Sequence, residues 1–149
     1  MEPNIMVRRW ISFAVVALVV LGGSVTSSRA ATLVAKISLS QQTMTVIHRG
    51  KARYLWKVST ARDGKVTPPG QWTPKRLKRF HFSSRYGHAP MPFSIFYSGN
   101  FAIHGTNQTS KLGSPASAGC IRLSRSNAAT LFSMARRAGL RNMLVIIEP

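Results

Sequence analysis

Short segments in which apolar and polar residues alternate make up most of the sequence from residue 33 onward. In the first segment Leu33, Ala35 and Ile37 alternate with residues that can face solvent. A period of two predicts a strand with one buried face. The same reasoning predicts further extended segments, separated by Gly-, Pro-, Asn- or Ser-containing turns, at 43–48, 54–59, 71–73, 93–97, 101–104, 120–123 and 143–147. The chain is therefore predicted to be mostly β.

One helix is predicted near the C-terminus. Ser124 is a suitable N-cap, and the helical pattern runs to about Ala138 before Gly139. Its apolar face is formed by Ala128, Leu131, Phe132 and Ala135. Arg136 and Arg137 suit the negative end of the helix. Together with the strands, this helix predicts a β-rich α+β domain.

The segment 75–92 has no clean period. It is rich in lysine and arginine, with His81, Tyr86 and His88 interspersed. Two interpretations stay open at this point: a solvated surface excursion, or a lid that faces a substrate.

The N-terminus has the pattern of an export signal. Arg8 and Arg9 precede an apolar run from Trp10 to Leu21, and Ser28-Arg29-Ala30 places small residues where a signal peptidase cleaves. The sequence therefore predicts a signal peptide over 1–30 and one compact domain over 31–149. The mature protein is expected in the periplasm or cell-wall space, without a stable membrane span. A retained anchor is the alternative, and the export route, general secretory or twin-arginine, stays open.

The charge is strongly unbalanced. The chain has 21 Lys and Arg against 3 Asp and Glu. Cleavage after Ala30 removes three arginines and one glutamate, which leaves 18 basic and 2 acidic residues and a net charge of +16. For an exported chain such a field favours anionic polymers of the cell envelope as partners rather than nucleic acid. It also supports an alternative function, that of a non-catalytic cationic wall-binding protein.

The sequence has a single cysteine, Cys120. In an oxidising compartment it has no partner within its own chain, so it is a buried residue, an intermolecular bridge or a reactive thiol. His104 ends a predicted strand on the same face as Ala102. The loop from Gly105 to Gly119 is long enough to return Cys120 to His104, and a thiol beside an imidazole can form a reactive thiolate–imidazolium pair.

Two further residues support a reactive role for this cysteine. Gly119 permits unusual backbone angles, so the turn can aim amides at one point as an oxyanion hole requires. Arg122 favours the thiolate, binds a substrate carboxylate or makes a structural hydrogen bond. The four histidines and one thiol have no spacing typical of a zinc site, so no metal is expected.

The segments Ile103–Thr106 and Ser117–Leu123 together resemble the signature of the L,D-transpeptidase catalytic domain, the YkuD-like family. Thr67-Pro68-Pro69-Gly70 is similar to the family's TPxG turn, and Met91-Pro92 also matches. The resemblance extends from about Ile37 to Ile147. Many members have a second histidine where this chain has Ala118, so only His104 is available as the base.

The resemblance implies two packed mixed β-sheets with one helix after the cysteine. It also implies a mechanism without a cofactor. Cys120 attacks the bond after the third residue of a peptidoglycan stem peptide, and His104 passes the thiol proton to the departing D-alanine. The acceptor that resolves the thioester, a stem amine, a lipoprotein amine or water, stays open. Gly105 would orient the His104 ring through its carbonyl. The residues expected to bind the substrate or the oxyanion are Gly105, Thr106, Ser117, Gly119 and Arg122.

Overall fold

The computed structural model describes residues 30–149. The predicted signal peptide and its cleavage pattern lie almost entirely outside the described residues. Within them the chain forms nine strands in two mixed sheets and one α-helix, so the predicted fold class is confirmed. No helix in this range is long and apolar enough to cross a membrane.

The first sheet has five strands in the order β3-β2-β1-β9-β4. The N-terminal meander is antiparallel, whereas β9 from the C-terminus pairs in parallel with β1 and antiparallel with β4. The strands are β1 (Leu33–Ser38), β2 (Thr43–His48), β3 (Lys51–Lys57), β4 (Gly70–Trp72) and β9 (Met143–Glu148).

The second sheet has four strands in the order β5-β6-β7-β8, and it carries the candidate site. Its strands are β5 (Arg76–Lys78), β6 (Ser94–Ser98), β7 (Phe101–Thr106) and β8 (Ile121–Ser124). The first three pair antiparallel, and the last two, β7 and β8, pair in parallel. A parallel neighbour requires a long connection, which the loop 107–120 provides together with a short 3₁₀ turn at Thr109–Lys111.

The helix α1 (Arg125–Ala138) begins and ends where the sequence predicts. The Ser124 hydroxyl accepts a hydrogen bond from the Asn127 amide at 3.2 Å, and the Gly139 amide donates to Ala135. The four predicted apolar positions are all buried. Gly105 lets the helix approach the second sheet, because a Cβ there would lie 3.1 Å from the Arg125 Cα. A second 3₁₀ turn, Leu140–Asn142, leads into β9.

The core lies between the two sheets and α1. Its buried side chains come from alternate positions of the strands, for example Leu33, Ala35 and Ile37 on β1 and Val145 and Ile147 on β9. This alternation explains why a period of two located most strands correctly.

Two strand predictions were wrong in detail. The third strand was predicted at 54–59, but β3 spans Lys51–Lys57 and is the edge of its sheet, so that Tyr54 and Leu55 are exposed. Its apolar alternation therefore reflects an edge strand rather than a half-buried one. In the 75–92 segment β5 was not predicted, because three residues are too few to show a period.

Candidate active site

The parallel pairing of β7 with β8 sets the position of the candidate catalytic residues. His104 is aligned with Arg122 across the pair, so both side chains lie on one face of the sheet. Cys120, two residues before Arg122, lies on the same face and packs against Ala102. From strand spacing and rise, diagonal neighbours such as His104 and Cys120 have Cα atoms about 8 Å apart, which their side chains can bridge. The loop 107–120 thus returns the thiol to the face of the sheet that carries the histidine.

Both side chains line one cavity of about 680 Å³. Much of its other wall comes from residues 80–92, so this part of the basic segment faces the site instead of forming a separate surface excursion. The loop is braced by Ser83–Ala89 and His81–Met91 backbone hydrogen bonds of 2.9 and 2.7 Å. Phe80 is 68% exposed and Phe82 59% exposed, and both belong to the cavity lining. These exposed aromatic side chains make this wall of the cavity apolar.

His104 is buried and held in one orientation. Its Nδ1 lies 2.8 Å from the Gly105 carbonyl oxygen, which can only accept, so Nδ1 carries the proton and Nε2 has a free lone pair. Burial lowers the pKa of His104 to about 4, and the charges of Arg122 and His81 act in the same direction, whereas the Gly105 hydrogen bond opposes them. The imidazole is therefore neutral near pH 7 and able to accept a proton.

This pKa makes stability depend on pH. Between about pH 6.5 and 4 the unfolded chain binds a proton at His104 and the folded chain does not, so acid favours unfolding. We expect the wild type to lose about 3 kcal/mol of unfolding free energy through His104 as pH falls across that window. His104→Gln should lack this loss, whereas replacement of the exposed His88 by Gln should retain it. Urea unfolding at pH 7 and pH 4 measures the difference, and equal acid sensitivity in wild type and His104→Gln would contradict the assignment.

Cys120 is a protonated thiol in this arrangement. Burial raises its pKa, although the backbone of Ala102 and the charge of Arg122 lower it in part. Its Sγ lies 3.7 Å from the Asn100 carbonyl oxygen, to which the thiol donates. The resting pair is therefore a neutral thiol and a neutral imidazole. The thiolate–imidazolium pair that the sequence allows is therefore not the resting state of these two side chains.

The turn before the cysteine is tightly bonded. Gly119 has φ 137°, and a Cβ there would lie 2.7 Å from the Phe101 ring and 2.9 Å from the Val66 carbonyl oxygen, so no other residue fits. The Gly119 amide donates to the Ser117 hydroxyl at 3.0 Å. Because this amide already donates to Ser117, the contribution of Gly119 is the backbone conformation of the turn, and the Ser117 hydroxyl stabilises that conformation.

Thr67 is a supporting residue that sequence reasoning assigned only to a turn. Its buried hydroxyl donates to the Gly119 carbonyl at 2.8 Å and accepts from the Ala61 amide at 3.0 Å. The Thr67-Pro68-Pro69-Gly70 turn is thereby tied to the cysteine turn. The signal was present in the TPxG pattern, but its partner is 52 residues away and could not be deduced from it.

Two guanidinium groups face the cavity beside the thiol. Arg122 Nη1 donates to Gln108 Oε1 at 3.2 Å, and Arg62 Nη1 donates to the Ser117 carbonyl at 3.1 Å. Burial lowers the pKa of Arg122, and the nearby charge of Arg62 lowers it further. Both acceptors, the Gln108 side-chain oxygen and the Ser117 backbone carbonyl, are neutral, so the positive charge of each arginine is available to an anionic ligand. Arg62 was not among the residues selected from sequence.

The remaining candidates have clear positions. Gly105 lies between Pro92, to whose carbonyl its amide donates at 2.8 Å, and α1. Thr106 lines the cavity, and its hydroxyl accepts from the Gln108 amide at 3.1 Å. Among residues 30–149 no three His, Cys, Asp or Glu side chains cluster as metal ligands would.

Residues 33–147 match the family model YkuD, the L,D-transpeptidase catalytic domain. Comparison with curated proteins gives no match. Among solved structures, the fold is similar to an L,D-transpeptidase from Mycobacterium tuberculosis H37Rv, at 23% identity and a TM-score of 0.70, with 79% of this chain and 58% of that chain covered.

Two further structures show the same fold. An L,D-transpeptidase from Mycobacterium smegmatis has 20% identity and a TM-score of 0.70, with 80% of this chain and 59% of that chain covered. An L,D-transpeptidase from Stackebrandtia nassauensis has 23% identity and a TM-score of 0.69, with coverage of 79% and 56%. The chain thus spans less than two thirds of the length of these proteins.

Proposed function

The chain belongs to the YkuD family of L,D-transpeptidase catalytic domains, and on that premise we propose that it is a cysteine L,D-transpeptidase of peptidoglycan stem peptides. The observation that carries the proposal is the neutral His104, with Nε2 free, on the same sheet face and in the same cavity as the chain's one thiol. A base without a proton beside a protonated nucleophile is the state from which acyl transfer begins.

The reaction begins when His104 Nε2 takes the Cys120 proton and the sulfur attacks the carbonyl carbon of the third stem residue, which is bonded to the D-alanine nitrogen. The tetrahedral intermediate collapses as the carbon–nitrogen bond breaks, and His104 gives the proton to the departing D-alanine amine. A thioester remains on Cys120. An acceptor amine then attacks it, losing a proton to His104, and the restored thiol receives that proton.

Substrate binding in this proposal uses two of the arginines that line the cavity. A stem peptide carries carboxylates, and Arg62 and Arg122 present donors without a carboxylate partner in the described part of the chain. Arg122 lies two residues from Cys120 on the same face, so a carboxylate bound there lies close to the reacting bond. The same charge favours the thiolate as it forms.

The setting proposed for this reaction is the cell envelope. The N-terminal pattern supports export with cleavage after Ala30, and the +16 charge of the remaining chain supports contact with anionic envelope polymers. The charge alone also fits a non-catalytic wall-binding protein. Binding alone, however, gives no reason for an oriented histidine beside a thiol.

Mass spectrometry of stem peptides incubated with the purified protein tests the function. We expect loss of D-alanine and a new cross-link between third residues when an amine acceptor is supplied. Loss of D-alanine without a cross-link would assign water as the acceptor. If the stem peptides are unchanged and the purified protein nevertheless binds isolated cell walls, the result would favour the non-catalytic wall-binding function instead.

A further inference from the structure

A second cavity of about 410 Å³ lies away from the catalytic cleft and shares no lining residue with it. Its walls are the end of the β2–β3 hairpin, Thr32 just before β1, and residues of α1 between Thr130 and Ala138. Three arginines line it, Arg49, Arg53 and Arg137, together with His48 and Tyr54. Neither the proposed transpeptidase mechanism nor its substrate uses any of them.

Two of these arginines occupy irregular backbone positions. Arg49 has φ 51° and Gly50 φ 75°, a two-residue hairpin turn whose first position normally takes Asn, Asp or Gly. The Arg49 amide donates to the Thr32 carbonyl at 2.8 Å, which ties the turn to the cavity wall. Arg49 therefore places a long cationic side chain at a positive-φ position, which is unfavourable for such a residue.

Arg53 is the extra residue of a β-bulge. Val46 is aligned with Tyr54 and Ile47 with Ala52, so Arg53 has no partner in the ladder. A bulge redirects side chains, and here the consecutive residues Arg53 and Tyr54 line one cavity instead of opposite faces. The third arginine, Arg137, comes from the last turn of α1 on the other side of the cavity.

The three guanidinium groups have no carboxylate partner in residues 30–149. That range contains two acidic residues, Asp63 and Glu148, of which Glu148 pairs with Lys36 at 3.2 Å and neither lines the cavity. Like charges that share a concave wall repel each other, and a bound anion would relieve that repulsion. The cavity is thus complementary to a multiply charged anion.

We propose that this cavity binds a phosphate group. A phosphate monoester brings up to two charges and three terminal oxygens to three guanidinium groups, whereas a carboxylate brings one charge and two oxygens. Tyr54 is 42% exposed and stacks on Trp56, with ring centroids 4.8 Å apart, so an aromatic wall is available to the carbon portion of a phosphate ester. The phosphate can come from a soluble ester or a lipid headgroup, and the experiment separates these sources.

The test compares the wild type with Arg49→Gly/Arg53→Gln/Arg137→Gln. Glycine suits the φ of position 49, so the turn should be retained. The matched control, Lys57→Gln/Lys65→Gln/Arg141→Gln, removes the same charge from exposed positions outside the cavity. The melting temperature of each triple variant, compared with that of the wild type, checks that the variant is folded. Stem-peptide turnover at the wild-type rate is a second check.

Calorimetry at one salt concentration measures binding of inorganic phosphate, glycerol phosphate and acetate. Co-sedimentation measures binding to vesicles that contain phosphatidic acid, a lipid phosphate monoester, and to phosphatidylcholine vesicles. We expect the cavity variant to bind phosphate probes about tenfold more weakly than the wild type, with the control variant close to wild type. Preference for glycerol phosphate assigns a soluble ester, and preference for phosphatidic acid vesicles assigns a lipid headgroup.

Three results would overturn the proposal. The first is no binding of any phosphate probe, and the second is tighter binding of acetate than of phosphate. The third is equal weakening in both triple variants, which would show that net charge and not the cavity attracts the anion. None of these results bears on the transpeptidase proposal, because no catalytic side chain is altered.

Discussion

Cys120→Ala is expected to abolish both thioester formation and stem-peptide turnover. The chain has no other cysteine, so no second thiol can replace the nucleophile. Alanine fits the small apolar site beside Met91, Phe96 and Ala102, and we expect the fold to persist. Intact-mass spectrometry after mixing with a stem peptide should show the acyl adduct on the wild type and none on the variant.

Cys120→Ser provides the matched control for shape. It retains a small polar group at the same position, but a hydroxyl is a far weaker nucleophile than a thiol at the same site. Turnover should therefore fall to near background in both variants while melting temperature changes little. Turnover by Cys120→Ala at a rate close to wild type would remove Cys120 from the mechanism and with it the transpeptidase proposal.

The strands were predictable because their core faces alternate. Leu33, Ala35 and Ile37 are all buried on one face of β1, as the period of two indicates. β3 has a similar apolar alternation yet lies at an edge, and Tyr54, on its predicted apolar face, is exposed. Whether a strand lies at the centre or edge of a sheet depends on pairing with distant segments, and no local pattern contains that information.

The site was predictable in its residue types but not in its electrostatics. The order of His104 and Cys120 indicated the chemistry, whereas the parallel register that places them on one face arises from the return of the 107–120 loop. The low pKa of His104 and the raised pKa of Cys120 both come first from burial, which depends on neighbours far along the chain. The position of Arg62 also depends on a distant segment, because its backbone amide and its Nη1 both donate to the Ser117 carbonyl.

His104→Ala is expected to slow alkylation of Cys120 near neutral pH. An unassisted cysteine is ionised to only about a few per cent at pH 7, and burial raises the pKa of Cys120 further. In the proposed mechanism, the neutral imidazole of the wild type removes the proton as the sulfur reacts. Raising the pH should partly restore alkylation of the variant, since hydroxide then generates the thiolate. Iodoacetamide labelling rates from pH 6 to 10 measure this.

Stem-peptide transfer should not recover with pH in the same variant. The departing D-alanine amine needs a proton, and hydroxide cannot supply the acid that His104 provides. His104→Gln, which keeps a side chain able to donate to the Gly105 carbonyl, should behave like His104→Ala if proton transfer is the role of the ring. If the ring only fills space, His104→Gln would retain wild-type rates. Superimposable alkylation profiles for wild type and His104→Ala would exclude His104 as the base and leave Cys120 an ordinary buried thiol.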